Sequence, residues 1–182
     1  MSSNDGRKPA QLVPVTLAAS AYWVGVNVAG AAFTDAAGFA WSADQRSHGS
    51  WGYVGGATKS TRAGIASTQD DKLFQTQRTG KTFSYVFKNA PAGSYVIGLG
   101  FAEIDHVKAG KRQFDVLVDG APVLYDHDVQ AEVGRLTADT HTVTVQHAGG
   151  DLTVKLAGNT GQSDPILSTL KVLEDPHPIA KG

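Results

Sequence analysis

The sequence predicts an all-β domain, and three observations carry the prediction. Segments such as Thr82 to Lys88 (TFSYVFK) alternate polar and apolar residues with period two, the pattern of a half-buried strand. Turn residues such as Pro91-Ala-Gly and Asp119-Gly120 separate these segments. No segment carries a long i, i+3, i+4 apolar stripe, and the best helical candidate, Val129 to Thr137, is short. The 21 glycines among 182 residues, with many Thr, Val and Ser, suit short strands joined by turns.

Taken in order, the first strand is Tyr22 to Val28, with apolar bulk from Trp23, Val24, Val26 and Val28. Trp23 and Trp41 are expected in the core. The stretch from Gly30 to Asp71 is rich in Gly, Ser, Ala and Thr yet holds Phe33, Phe39, Trp41, Trp51 and Tyr53. An irregular stretch of that length contains short strands or carries function. Ser94 to Ile104 reads as a long strand with Tyr95, Ile97, Leu99 and Phe101 on one face. Its other face carries Gly98, Gly100 and Ala102, so a neighbour must approach closely there. Phe114, Val116 and Val118 mark the next strand. Thr140 to Gln146 and Leu152 to Leu156 are expected to form a hairpin around Ala148 to Asp151, and Ile166 to Leu173 the last strand. Many short strands with turns between them favour a sandwich or barrel with antiparallel sheets wet on one face.

One domain is expected over residues 18–175, between a flexible N-terminal segment, 1–17, and a C-terminal tail, 176–182. A formal net charge of -1 gives no long-range attraction to nucleic acid or anionic membrane. The absence of cysteine removes disulfides and thiolate metal sites. No apolar run approaches the roughly 20 residues of a membrane span, so no membrane insertion is expected. The N-terminus lacks the apolar stretch of a signal peptide. No Gly-x-Ser-x-Gly elbow occurs, and nothing pairs two carboxylates across a cleft as glycoside hydrolysis requires. The chain is expected to bind rather than catalyse.

Function in an all-β domain concentrates in loops held between anchored strands. The stretch Phe101 to Gly120 is such a place: two strands joined by a polar connection holding Asp105, His106, Lys108 and Lys111. Trp51 and Tyr53, two apart and hence on one face if extended, are the candidate stacking residues; Trp51 could equally plug the sandwich. Glu103 reads as structural, tied to backbone or Arg112, and Arg78 as a strand-end salt bridge. No cofactor is expected. Tyr125-Asp126-His127-Asp128 is the one stretch suited to a structural calcium ion, but no Asp-rich loop supplies further oxygens. The six histidines are not paired at transition-metal spacing.

An ordered series then carries a resemblance: Val24-Gly-Val-Asn27-Val-Ala-Gly30 with Phe33-Thr-Asp35; Trp41-Ser-Ala-Asp44; Tyr53-Val-Gly-Gly56; Leu73-Phe-Gln-Thr76-Gln-Arg78; Phe83-Ser-Tyr85; Gly93-Ser-Tyr95; Phe101-Ala-Glu103; Phe114-Asp-Val116 with Asp119-Gly120; and Asp164-Pro165. Over Tyr22 to Glu174 the chain resembles the malectin domain family of carbohydrate-binding modules. The resemblance implies an antiparallel β-sandwich of jelly-roll, galactose-binding-like topology and a non-catalytic glycan-binding role. The family's sugar site is built from loop aromatics and an aspartate. Here Tyr53 matches the first tyrosine, whereas Thr79 replaces a second. Asp105 and His106 replace an aromatic pair, and Ser163 falls where the aspartate stood, with Asp164 one place along. The chain keeps little of that set, and with Trp51 from the loop reading the expected ligand site is Tyr53, Trp51, Thr79, Asp105, His106 and Asp164, for a carbohydrate partner. It also implies a place within a larger secreted or surface polypeptide, as in bacterial modular proteins. The alternative is a fold kept for protein contact or self-association after loss of the sugar site.

Overall fold

The computed structural model describes residues 21–175. Among them run β1 (Trp23–Asn27), β2 (Phe33–Thr34), β3 (Ala40–Ala43), β4 (Trp51–Val54), β5 (Ala57–Ser60), α1 (Asp71–Phe74), β6 (Thr76–Thr79), β7 (Thr82–Ala90) and β8 (Gly93–Ala102). There follow β9 (Phe114–Val118), β10 (Ala121–His127), α2 (Val129–Glu132), β11 (Ala138–His147), β12 (Gly150–Gly158), β13 (Ile166–Leu167) and β14 (Thr169–Glu174). The expected end segments, 1–17 and 176–182, lie outside the described residues.

Two sheets face each other. One has the order β11-β8-β14-β1-β3-β2 and the other β10-β9-β12-β7-β4. All pairings are antiparallel except β1 with β3. Period two decides what they bury. Tyr95, Ile97, Leu99 and Phe101 of β8 point inward, as do Phe83, Tyr85 and Phe87 of β7, Phe114, Val116 and Val118 of β9, and Leu152, Val154 and Leu156 of β12. Each such side chain contributes about 1.5–3 kcal/mol relative to exposure. The all-β sandwich of jelly-roll type is thus as the sequence predicts.

The bare face of β8 is explained. A Cβ on Gly100 would stand 2.1 Å from Thr169 Oγ1 and 3.1 Å from the Phe74 ring. Phe74 and Leu73, delivered by the single turn of α1, form a second core with Trp41, Ile65, Ala102 and Ile104 on the outer side of that sheet. The Asp119-Gly120 turn joins β9 to β10, with both residues at positive φ (49° and 81°), the two-residue hairpin turn that suits strand twist.

Three expectations are corrected. β11 and β12 are not a hairpin: β11 lies at the edge of the first sheet on β8, while β12 sits inside the second between β7 and β9. The glycine pair lets the chain cross between layers rather than reverse within one; Gly149 and Gly150 both have positive φ. Trp23 is not core but 54% exposed, packed edge-on against Phe39. The last strand is broken at Ser168, whose N–H bonds Gly100 O, so that β13 leaves the sandwich for a third sheet of order β13-β6-β5.

Candidate functional site

That small third sheet is flanked by two buried arginines, and each arginine presents something different to the surface. On β4, Trp51 pairs across with Phe87 and Tyr53 with Tyr85, so both rings share the inner face. Trp51 is nine-tenths buried and stacked on Phe87, with ring centroids 6.2 Å apart. It belongs to the core and offers no free ring face. Tyr53 is half-buried at the rim, edge-on to Tyr85. The Arg78 guanidinium lies 3.4 Å from its ring centroid. A desolvated contact of this kind is worth about 2 kcal/mol.

Arg78 is itself almost fully enclosed and satisfied. Its Nη2 donates to Asp44 Oδ2 at 2.7 Å, Nε approaches the Tyr85 hydroxyl, and Nη1 reaches the Gly55 and Gly56 carbonyls. Burial alone would lower the Arg78 pKa; Asp44 and Tyr85 outweigh it and raise it. Burial and the Asp44 charge push the Tyr85 phenol well up, so it stays a neutral donor, and it donates to Asp44 at 3.0 Å. The exposed part of Tyr53 faces a concavity lined by Arg46, Ser47, His48, Val54, Gly55 and Gly56. Gly56 is needed there: its φ is +74°, and a Cβ would stand 2.9 Å from Arg78 Cγ.

On the other flank, Arg112 is equally enclosed. Its Nε meets Glu103 Oε2 at 2.7 Å, Nη2 meets Asp105 Oδ2 at 2.9 Å, and Nη1 donates to the Asp164 carbonyl. Glu103 is fully buried, and its other oxygen accepts from the Asp105 N–H. Burial holds the Glu103 carboxyl above its ordinary range, against the pull of Arg112. Asp105 behaves oppositely: burial raises it, but Lys59, at 2.7 Å from Oδ2, and Arg112 outweigh that and keep it low. Arg135 fixes the loop backbone by donating to the Ile104 and Asp105 carbonyls. His106 stands exposed beside Asp105, and its side chain makes no hydrogen bond or ion pair among the described residues. Asp164 is exposed; its carbonyl serves Arg112 and its carboxylate points to no partner there.

Thr79 sits between these flanks, on β6, paired to Ala57 on one side and Ile166 on the other. It is nine-tenths buried. Alternation along β6 turns Gln77 and Thr79 away from the Arg78 side. Lys59 pairs with Gln77 and so shares the Thr79 face, where it reaches Asp105. The structure therefore brings Asp105 and the Asp164 backbone to Arg112, leaves His106 exposed next to Asp105 in the chain, sets Tyr53 in a separate concavity over Arg78, and makes Thr79 a rung of β6, so the six expected site residues do not form one site. Asp44, the anchor of Arg78, was not singled out from the sequence. It lies 34 residues from Arg78, and only its place in Trp41-Ser-Ala-Asp44 marks it.

The Tyr125 to Asp128 stretch does not gather into an oxygen cage. Asp126 accepts from Asn159, and Asp128 caps α2 at Ala131 N and takes the Gly110 N–H. Tyr125 is exposed, and His127 turns inward. Among the described residues no helix is long and apolar enough to cross a membrane.

Comparison with known proteins agrees with this architecture. The Malectin domain family profile matches residues 22–176. Malectin of Danio rerio is 31% identical over 143 residues, 76% of this chain and 48% of that protein. Malectin of Mus musculus is 33% identical over 93 residues, 50% of this chain and 32% of that protein. The chain thus spans a third to a half of the length of these curated relatives. Among solved structures, a Bacteroides uniformis beta-glucuronidase superposes with a TM-score of 0.76 at 27% identity, over 85% of this chain and 18% of that one. The ANXUR2 extracellular domain of Arabidopsis thaliana does so with a TM-score of 0.71 at 16% identity, over 85% and 49%, a likeness of fold alone. With a family match covering nearly all the described residues, the chain belongs to the malectin domain family.

Proposed function

We propose that the chain is a non-catalytic glycan-binding domain with two separate contact surfaces, a stacking platform at Tyr53 over Arg78 and a polar rim of Asp105, His106 and Asp164 on the Arg112 flank, rather than one shared dish. A pyranose needs a flat face for its C–H surface and fixed polar groups for its hydroxyls. The observation that carries the reading is the seating of Tyr53: its ring is held by a buried, paired Arg78 and lines a concavity shared with Gly55 and Gly56. Such a platform loses little freedom on binding. Asp105, held ionised by Lys59 and Arg112, supplies a charge-assisted acceptor. One platform and one rim give affinities of about micromolar to millimolar. The beta-glucuronidase likeness covers less than a fifth of that enzyme and brings no activity to this chain. The reading extends to a place in the extracellular or cell-surface part of a longer polypeptide, and the span of only a third to a half of the curated relatives supports the longer polypeptide.

A second reading, contact with another protein or self-association, is favoured by Trp23 and Tyr125, which stand 54% and 69% exposed on a well-packed fold. NMR titration with neutral and uronic-acid oligosaccharides separates the two. Shifts that Tyr53→Ala abolishes support the glycan site. Silence towards every sugar, with self-association by light scattering, overturns it in favour of the second reading.

A further inference from the structure

We infer that the chain binds one divalent transition ion of the zinc type between β10 and β11, through His127, Asp139 and His141. Nothing in the glycan reading uses these residues. Asp139 and His141 lie two apart on β11 and so project to the same side. His127 ends β10, and Glu132 ends α2 just above it. His127 Nε2 stands 2.9 Å from Asp139 Oδ2, and His141 Nε2 stands 3.0 Å from Asp139 Oδ1. Donor atoms around a tetrahedral zinc ion with bonds of about 2.0–2.1 Å stand roughly 3.3 Å apart. Each imidazole is already within a few tenths of an ångström of that spacing from an Asp139 oxygen, and the ligand atoms of His127, Asp139, His141 and Glu132 all lie within 4.8 Å of one another.

A second observation points the same way. His127 Nε2, Asp139 Oδ2 and His141 Nε2 are all buried, and none of them makes a hydrogen bond. His127 and Asp139 are 3% and 6% exposed. Buried polar atoms are ordinarily satisfied, so three orphans aimed at one another call for a partner. A proton shared between His and Asp would show hydrogen-bond geometry, and these approaches do not. A dication balances the Asp139 and Glu132 charges while both imidazoles stay neutral. The fittings around the site follow the same logic. His127 Nδ1 lies 3.1 Å from Glu132 Oε1, the carboxylate contact that orients a metal-bound imidazole. The buried rings of Phe101 and Phe114 pack on His127, at 4.8 and 5.4 Å between centroids, and keep that side dry. The fourth position faces the exposed Glu132 side. Two imidazoles select a transition ion over calcium, whose ligands are oxygens. In the sequence the only trace is Asp139-Thr-His141 on an alternating strand; its partner His127 is distant and unmarked.

The metal-stripped chain titrated with Co²⁺ tests the site. The expected result is an intense visible band of low-symmetry cobalt that saturates at one equivalent and is displaced by Zn²⁺ but not by Ca²⁺. Equimolar or modest excess Zn²⁺ should raise Tm by about 5 °C or more. His141→Gln should weaken binding by at least ~100-fold, and the exposed Glu132→Gln, which leaves the core untouched, by ~10-fold. His106→Gln should change nothing. No band and no Tm shift in the native chain, or a band that His141→Gln and Glu132→Gln both retain in full, would overturn the proposal.

Discussion

Arg78 and Arg112 are both nearly sealed from solvent and both neutralised by a carboxylate at 2.7 Å, yet they do different work. Arg78 is enclosed by one acid, a phenol and two carbonyls, and its flat face is spent on the ring of Tyr53. Arg112 is shared between a sealed acid, Glu103, and a partly exposed one, Asp105. The first thus presents an aromatic face and the second a carboxylate. Arg78 projects from one face of β6, whereas Lys59, paired with Gln77 on the opposite face, reaches Asp105, so the two presentations are independent constructions and should fail independently.

Removing the acid beneath each arginine is the most disruptive way to test this. Asp44→Ala and Glu103→Ala each leave a buried guanidinium short of its counter-ion, at a cost of about 3–5 kcal/mol. Chemical denaturation reads the loss. The comparison sharpens if variants that remain folded at low temperature divide cleanly: Asp44→Ala should disturb the resonances of Tyr53 and leave those of Asp105 and His106 in place, and Glu103→Ala the reverse. Shifts at both flanks from either change would mean a single coupled network.

Tyr53→Ala should come next in size. It deletes the platform and bares one face of the Arg78 guanidinium, which still keeps Asp44, Tyr85 and two carbonyls, so no buried charge loses its counter-ion. Glycan affinity should fall by at least ~10-fold, in line with a stacking contact worth on the order of 1 kcal/mol plus the area lost with it. Asp105→Asn should weaken binding several-fold. The opposite ranking in a titration would move the principal contact to the Arg112 flank.

The pH response distinguishes the two acids of the Arg112 flank. Asp105 has a folded pKa below its ordinary 3.8, so its contribution is present above that value and lost as pH falls through the lower, folded one. Glu103 has a folded pKa above its ordinary 4.5, so the folded state holds its proton longer. Stability from this group falls as pH rises from 4.5 through the raised value, then levels. Glu103→Gln should abolish that fall, and Asp105→Asn should blunt the acid loss below about pH 4. Urea unfolding across pH 3 to 7 reads both signs.

Fold and site were legible in the sequence to different depths because different physics sets them. Strand alternation is local, so β7, β8 and β9 and their inward aromatics could be read directly, as could a structural role for Glu103, whose two expected partners, backbone and Arg112, are both engaged. Layer assignment is not local. Nothing in Thr140 to Leu156 distinguishes a hairpin from a crossing between sheets, because either uses the same glycines. Trp51 and Tyr53 do share a face, as their spacing says, but which one reaches the rim depends on Phe87 and Tyr85 across the strand. Trp23 looked like core because its strand is apolar; it lies at the sheet surface, 54% exposed, with Phe39 packed edge-on against it.

The smallest predicted effect probes what holds Asp105 ready. Lys59 is 47% exposed and its ion pair with Asp105 is a surface pair, so Lys59→Ala should cost no more than about 1 kcal/mol. Its electrical effect is another matter. The Lys59 ammonium is the nearest cation to Oδ2, nearer than the Arg112 guanidinium, whose charge is already engaged by Glu103. Removing Lys59 should therefore return the Asp105 carboxyl towards 3.8 while the fold hardly changes, which a carboxyl ¹³C titration would follow. An Asp105 that stays low without Lys59 would give Arg112 the whole credit, and the second flank would then be as self-contained as the first.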